Sequence, residues 1–446
     1  MASAAEQLAA NLNFGAFAKA TELKKRIWFT LGALIVYRLG TYIPLPGIDP
    51  AVLQDIFRQN AGGILGMFDM FTGGALGRMT VFALNIMPYI SASIVMQLMT
   101  TASKQLEALK KEGESGRKKI NQYTRYLTVI ITAVQAYGIA SGLEGMRSSV
   151  GPAVPDPGMF FRFTAVVTLV GGTMFLMWLG EQITARGIGN GISLIIFGGI
   201  VANLPQALAG TLELGRTGAL STALIIGLLA MSVGVIFFIV FVERAQRRII
   251  VQYPKRQVGN KLFGGENSHL PLKINTSGVI PPIFASSILL MPVTVISFQA
   301  GQGPEWLTAV AAYLGHGQPL YLIIYASLIV FFAFFYTAVV FNPVETAENL
   351  KKHGGFVPGI RPGVHTSEYL DRILTRLTVL GAGYLVAVSL LPEFLISKFS
   401  VPFYFGGTSL LIVVTVTLDT VAQIQSHMLA HQYEGLIKKS KLRGRK

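Results

Sequence analysis

The sequence predicts an all-α polytopic membrane protein of about ten transmembrane helices, because only helices and closed barrels satisfy their backbone in lipid and the apolar runs here are continuous, not alternating. Three observations point there. The chain holds about ten apolar stretches of span length. Charged residues are only 13% of 446, where a soluble chain carries about 25%. The basic residues also alternate: with the N-terminal tail counted as inside, 30 of the 37 Lys and Arg fall in the inside stretches and 6 in the outside ones, with Arg38 within a span. This is the positive-inside pattern of a chain with both termini in the cytoplasm.

The elements follow in order. Residues 1–23 form a cytoplasmic amphipathic segment with Leu8, Leu12, Phe14 and Phe17 as its apolar points. They lack the charged start, apolar run and cleavage site of a removable signal, so the first span, 24–43, is expected to target the chain and stay. Further spans are expected near 79–100, 123–143, 160–179, 189–206, 219–242, 277–298, 319–341, 376–392 and 402–419. Pro88, Gly171–Gly172, Gly198–Gly199, Pro281–Pro282, Gly381 and Gly383 lie in spans, where they allow close helix contact or local unwinding. Trp178 and Tyr404 fall at span ends, as in an aromatic belt.

An outside hinge loop at 207–218 divides the spans five and five, giving halves 24–206 and 219–420 before a basic cytoplasmic tail, 421–446. An odd number of spans per half makes the halves inverted repeats, which place a functional pathway at their interface. The stretch 61–77, AGGILGMFDMFTGGALG, holds six glycines and Asp69. It reads either as a loop helix resting on the outer surface or as a short re-entrant element that blocks a cavity from outside.

Several chemistries are missing from the sequence. Without cysteine there is no disulfide, thiol nucleophile or Cys-based metal site. No Gly-Lys dipeptide exists for a Walker A loop, and no His-Glu-x-x-His occurs. His427 and His431 stand four apart on an expected cytoplasmic helix, where a solvated face is the simpler reading than a metal pair. GIGNG at 187–191 opens a span and is not a dinucleotide fingerprint. The spans hold almost no ionisable groups beyond Arg38 and Asp419, which weighs against the alternative of a small-solute secondary transporter. No enzyme, cofactor or metal site is therefore expected, and the driving force must come from the cytoplasm.

The cytoplasmic loops are where a driver would dock. Residues 244–273 carry seven basic side chains and one acidic, and alternate around Ile249 to Tyr253 like an exposed hairpin. Residues 342–372 present Arg361 in GIRPG, a Gly/Pro frame for a tight projecting turn. Near span ends such charges serve orientation and anionic lipid. Mid-loop, at Lys255, Arg256 and Arg361, they suit phosphate or carboxylate partners.

The motifs IMPYISASIVMQL (86–98), KKEGESGRKKINQYTRY (110–126), RGIGNGIS (186–193), SHLPLK (268–273), GVIPPIFASS (278–287), NPVETAENLKKHGGFVPGIRPG (342–363) and PFYFGGTSLLIVV (402–414) resemble the SecY family, central subunits of the bacterial protein-conducting channel. The resemblance runs from about residue 14 to about 440. It implies a clamshell of two inverted halves around an hourglass pore that passes unfolded chains and releases transmembrane segments sideways. It implies a constriction formed by Ile86, Ile90, Ile192, Ile196, Ile283 and Ile412, with Ile280 as the alternative to Ile283. Ile86/Ile90 and Ile192/Ile196 are spaced i,i+4, one helix face each. It further implies a plug at 61–77, including Gly62, Gly63, Ile64, Leu65, Gly66, Met67, Phe68 and Asp69. A lateral gate would carry Ser91, Gln135 and Asn275. Arg361, Pro362, Gly363, Lys255 and Arg256 would dock the motor or ribosome. The implied partners are the SecE and SecG subunits, the SecA motor ATPase, the ribosome through its RNA phosphates, a membrane insertase, secretory and membrane protein precursors, and the lipid bilayer. The implied location is the bacterial inner membrane.

Overall fold

The computed structural model describes residues 21–59, 69, 72–148, 151–217, 221–254, 256–258, 261–263, 267–298, 318–399 and 407–443. The helices are α1 Thr21–Gly40, α2 Pro50–Gln59, α3 Met87–Ala102, α4 Lys104–Lys111, α5 Glu114–Gly145, α6 Met159–Arg186, α7 Gly191–Arg216, α8 Thr222–Arg244, α9 Ile280–Phe298, α10 Pro319–Val340, α11 Pro343–Lys352, α12 Val364–Phe399 and α13 Gly407–Arg443. The strands are β1 Arg147–Ser148, β2 Gly151–Pro152, β3 Gln246–Gln252, β4 Arg256–Val258, β5 Lys261–Phe263 and β6 Asn267–Lys273. Each of the ten expected spans overlaps a helix, the second only from Met87 and the last from Gly407. Among the described residues, seven helices are long and apolar enough to cross a membrane. On α8, Ile226, Val233, Phe237 and Phe241 are exposed, an apolar flank that lipid would cover. Trp178 is exposed on α6, while Tyr404 lies outside the described residues.

The chain forms two compact units: Met1–Ala209 with Leu290–Ala312 and Ile412–Lys446, and Gly210–Leu289 with Tyr313–Leu411. In the first, α5 packs on α3 and α6, and α1 lies along α6. The span expected at 79–100 is helical only from Met87. Hydropathy marks the whole stretch as apolar, but Met79 and Asn85 have positive φ (42° and 50°), and Pro88 sits in the first turn of α3. Proline is compatible with that turn and not with a helix interior.

The preceding residues are nevertheless deeply buried: Leu76, Met79 and Ile86 expose 0% of their surface. Their backbone is satisfied without a helix, since Leu45 N donates to the Met79 carbonyl (2.9 Å) and Val81 N to that of Ile43 (3.0 Å). Non-helical backbone survives at membrane depth when protein surrounds it in this way. Gly172 permits the packing, because a Cβ there would overlap the Val81 carbonyl. Rings of Tyr37, Phe82, Phe175 and Trp178 continue the contact, with successive centroids 6.3, 5.8 and 5.8 Å apart.

The stretch 207–218 differs from expectation. It is not a loop up to Arg216 but the continuation of α7, which runs through Pro205. Leu, Ala and Glu there are good helix formers. Arg216 also caps the run with an ion pair to Glu213 at 2.6 Å, three residues apart.

In the second unit, β3 and β6 pair antiparallel from Gln246↔Lys273 to Gln252↔Asn267, the hairpin that alternation around Ile249 predicts. Its buried face gives Ile249 and Leu272 to a core with Val357, Leu370, Ile373, Leu374 and Leu377. Gln252 and Phe356 exchange two backbone hydrogen bonds, of 2.9 and 3.0 Å, tying the hairpin to the 342–363 loop. α10 and α11 both pack on α12.

Candidate functional site

Of the six isoleucines expected to line a constriction, Ile283 belongs to the second unit and the others to the first. Ile86 caps α3, and its carbonyl accepts from Ile90 N (3.1 Å), so the pair keeps its i,i+4 relation although Ile86 precedes the helix. Both are buried. Ile192 and Ile196 sit on the first two turns of α7. That start is fixed by Asn190, whose Oδ1 accepts from Ile192 N (3.1 Å) and Ser193 N (3.4 Å). Ile196 is buried, while Ile192 is half-buried with its Cγ1 facing Gly180 of α6. Ile412 exposes 1% on α13. Ile283 is half-buried in the first turn of α9, and so is Ile280. Pro281 and Pro282 open that turn, where missing N–H groups are harmless. The Ile283 carbonyl accepts from both Ser286 and Ser287 (2.9 and 2.8 Å).

Residues 61–68, 70 and 71 of the expected plug lie outside the described residues. The described end is heavily bonded. Asp69 Oδ1 accepts from Gly77 N (2.6 Å), and its backbone carbonyl from Gly74 N (2.9 Å) and Thr72 Oγ1 (2.9 Å). Loss of water raises the Asp69 carboxyl above its ordinary pKa, against the pull of the Gly77 N–H, Arg78 and Thr72. Arg38 donates to the Gly73 carbonyl (2.6 Å), and Arg78 to those of Gly74 (3.0 Å) and Gly73 (3.2 Å). Sequence reading noted Arg38 only as an isolated charge in a span and gave Arg78 no role. The signal was a positive charge near the C-terminal end of an apolar span, and a second one four residues after a glycine pair.

For the expected gate, Ser91 is buried on α3 and Gln135 half-buried on α5, both in the first unit. Asn275 is buried in the second, where its amide donates to Glu243 Oε1 (2.7 Å) and the Gly278 carbonyl (3.0 Å). Its Oδ1 accepts from Ser277 Oγ (3.0 Å). Tyr384 of α12 also donates to Glu243 Oε1 (3.5 Å). Sequence reading missed Glu243; the signal was an acid closing an apolar span just before a strongly basic stretch.

On the loops, Arg361 and Pro362 are exposed on a turn framed by Gly359 (φ 82°) and Gly363 (φ 106°). Only glycine takes such φ values readily. The Arg361 carbonyl accepts from Thr366 Oγ1 (2.9 Å), fixing the turn to the start of α12. Lys255 lies outside the described residues, and Arg256 begins β4, paired with Phe263 of β5.

Spans nearly free of charge, aliphatic side chains near helix starts, and a folded basic hairpin and turn in the second unit are the features of a multi-pass helical membrane channel. The sequence profile of the SecY family matches residues 80–421. The chain belongs to the SecY family. It is 57% identical to the protein translocase subunit SecY of Escherichia coli strain K12 over 424 residues, 95% of this chain and 96% of that one. Its fold is similar to a solved structure of a protein conducting channel (TM-score 0.65, 19% identity, covering 91% of this chain and 92% of the other). It is also similar to Sec61 in a canine ribosome–channel complex from the endoplasmic reticulum (TM-score 0.62, 18% identity, again 91% and 92%).

Proposed function

We propose that this chain is the pore-forming subunit of a protein translocase in the bacterial inner membrane, with both termini cytoplasmic. It passes unfolded secretory polypeptides and releases transmembrane segments sideways into lipid. The 57% identity to a translocase subunit along 95% of the chain carries this reading. The chain is a passive conduit and not an enzyme.

Ile86, Ile90, Ile192, Ile196, Ile283 and Ile412 form the constriction. An apolar ring resists water and ions by dewetting. It offers no fixed polar partner to the passing chain, so it is indifferent to sequence. The segment 61–77 closes the outer side at rest. Ser91, Gln135 and Asn275 are the polar side chains of the lateral gate, with Asn275 anchored on its own side by Glu243 and the Gly278 carbonyl. Interhelical hydrogen bonds in lipid are worth about 1 kcal/mol each, small enough for a hydrophobic signal helix to displace. The exposed Arg361 turn, with Lys255 and Arg256, docks the motor ATPase or the ribosome, whose phosphates and carboxylates a guanidinium grips with two bonds. SecE and SecG complete the channel.

Site-specific photocrosslinkers at Ile86 and Ile412 test the pathway against a stalled secretory chain, with the exposed Phe237 as control. Crosslinks from the two isoleucines and none from Phe237 are expected. The reverse pattern overturns the constriction.

A further inference from the structure

The first unit holds two guanidiniums beside the Gly73–Gly74 pair, with no carboxylate hydrogen-bonded to either among the described residues. Arg38 Nη1 donates to the Gly73 carbonyl at 2.6 Å, and Arg78 donates through Nε to Gly74 (3.0 Å) and through Nη2 to Gly73 (3.2 Å). Tyr42 lies against both, with its ring centroid 5.1 Å from Arg38 Cζ and 4.2 Å from Arg78 Cζ, and its hydroxyl accepts from Arg38 Nη2 (3.2 Å). The two like charges are thus held together by one ring and aimed at one pair of carbonyls. The glycines are required at that spot. Gly73 and Gly74 both have positive φ (69° and 82°). A Cβ on Gly73 would lie 3.0 Å from Gly199 Cα and 3.1 Å from Arg38 Nη1, and one on Gly74 would lie 2.9 Å from Arg78 Nη2. Tyr37 adds a longer bond to the Thr72 carbonyl (3.4 Å).

We infer that Arg38 and Arg78 are positioning residues that clamp the Gly73–Gly74 backbone and thereby hold the root of the channel's outer closing segment. This rests on the reading of 61–77 as that segment. Carbonyls are suitable handles because they carry no net charge. Hydrogen bonds with one charged partner are strong, yet no ion pair must be separated when the segment shifts. Asp69 attracts Arg78 through space, but its Oδ1 is taken by Gly77 N (2.6 Å). The clamp therefore fixes the segment at its C-terminal root.

The test uses the translocase complex, reconstituted with its partner subunits in planar bilayers, with resting ion conductance as the readout. The double variant Arg38→Gln/Arg78→Gln is expected to raise resting conductance about tenfold, the change that about 1.4 kcal/mol of lost anchoring produces in a closed–open equilibrium. Arg38→Lys, which keeps one donor for Gly73, is expected to leak less than Arg38→Gln. Thermal melting of the complex separates this from general unfolding, since the clamp variants should leak with a melting temperature close to the parent's. If the double variant does not assemble, single Arg78→Gln carries the test with the same readouts. Deletion of residues 61–68 is the reference for the closing-segment reading. A leaky deletion with parent-like conductance in the arginine variants overturns the clamp alone. A deletion with parent-like conductance overturns the closing-segment reading, and the clamp with it.

Discussion

Asn275 donates to the Glu243 carboxylate at 2.7 Å, joining the loop before α9 to the last turn of α8, with both residues buried. The bond changes what a substitution at Asn275 does. Asn275→Ala removes a donor to a buried carboxylate, and hydrogen bonds to charged groups contribute about 1.5–3 kcal/mol. It is expected to lower the thermal stability of the purified protein by about that amount. Glu243→Gln, which retains an acceptor, is expected to cost less. A double variant no worse than Asn275→Ala alone would show the two effects to be one interaction. Additive losses would show them to be separate.

Two adjacent glycines of α6 give opposite expectations. A Cβ on Gly172 would overlap the Val81 carbonyl, a backbone atom that cannot rotate away, whereas one on Gly171 meets nothing within 4 Å. Gly171→Ala is expected to be neutral or to stabilise by about 0.5–1 kcal/mol, the helix preference for Ala. Gly172→Ala is expected to lower the yield of folded protein, because α6 must move off the buried 72–86 turn. Equal melting temperatures for the two variants would contradict the close approach.

The contrast illustrates what the sequence discloses. Hydropathy located the spans, and alternation around Ile249 located the hairpin, because both depend on one periodicity within one segment. Pro88 carried the information that α3 begins late, but its span is apolar throughout, so composition masks the turn. Only the positive φ values of Met79 and Asn85 and the backbone bonds to residues 43–45 reveal it. The pairing of Glu243 with Asn275, or of Arg38 with Gly73, joins residues 32 and 35 positions apart. No local pattern encodes such pairs. The GIRPG turn was readable because its glycine positions have a local cause, the positive φ at Gly359 and Gly363.

Asp69 gives a pH dependence with a defined sign. Its folded-state pKa is raised above the ordinary 3.8, chiefly by desolvation. The folded protein therefore holds that proton more tightly than the unfolded chain. The contribution to stability is full below about pH 3.8 and is lost as pH rises through the raised value. Asp69→Asn does not titrate and still offers an oxygen to Gly77 N. Its melting temperature relative to the parent is expected to rise from acid to neutral pH. Asp69→Ala loses the acceptor as well and is expected to fall below Asp69→Asn by about 1 kcal/mol at pH 7. A parent that gains on Asp69→Asn as pH rises would reverse the assignment.

Arg361 is expected to separate assembly from transport. It is exposed, its turn is set by Gly359 and Gly363, and the bond to Thr366 uses its carbonyl and not its guanidinium. Arg361→Glu should therefore leave folding, membrane insertion and subunit assembly unchanged within about 0.5 kcal/mol, the usual range for surface substitutions. It reverses the charge offered to an acidic or phosphate-bearing partner, so motor binding and precursor transport into inverted vesicles should fall by tenfold or more, as about 1.4 kcal/mol of lost binding requires. Arg361→Lys keeps the charge but not the planar fork, and should lie between the two. Added salt should weaken parent binding and narrow its gap to Arg361→Glu, since exposed charges are screened beyond about 8 Å at physiological ionic strength. Full transport by Arg361→Glu at parent levels of assembled complex would remove the docking role from this turn.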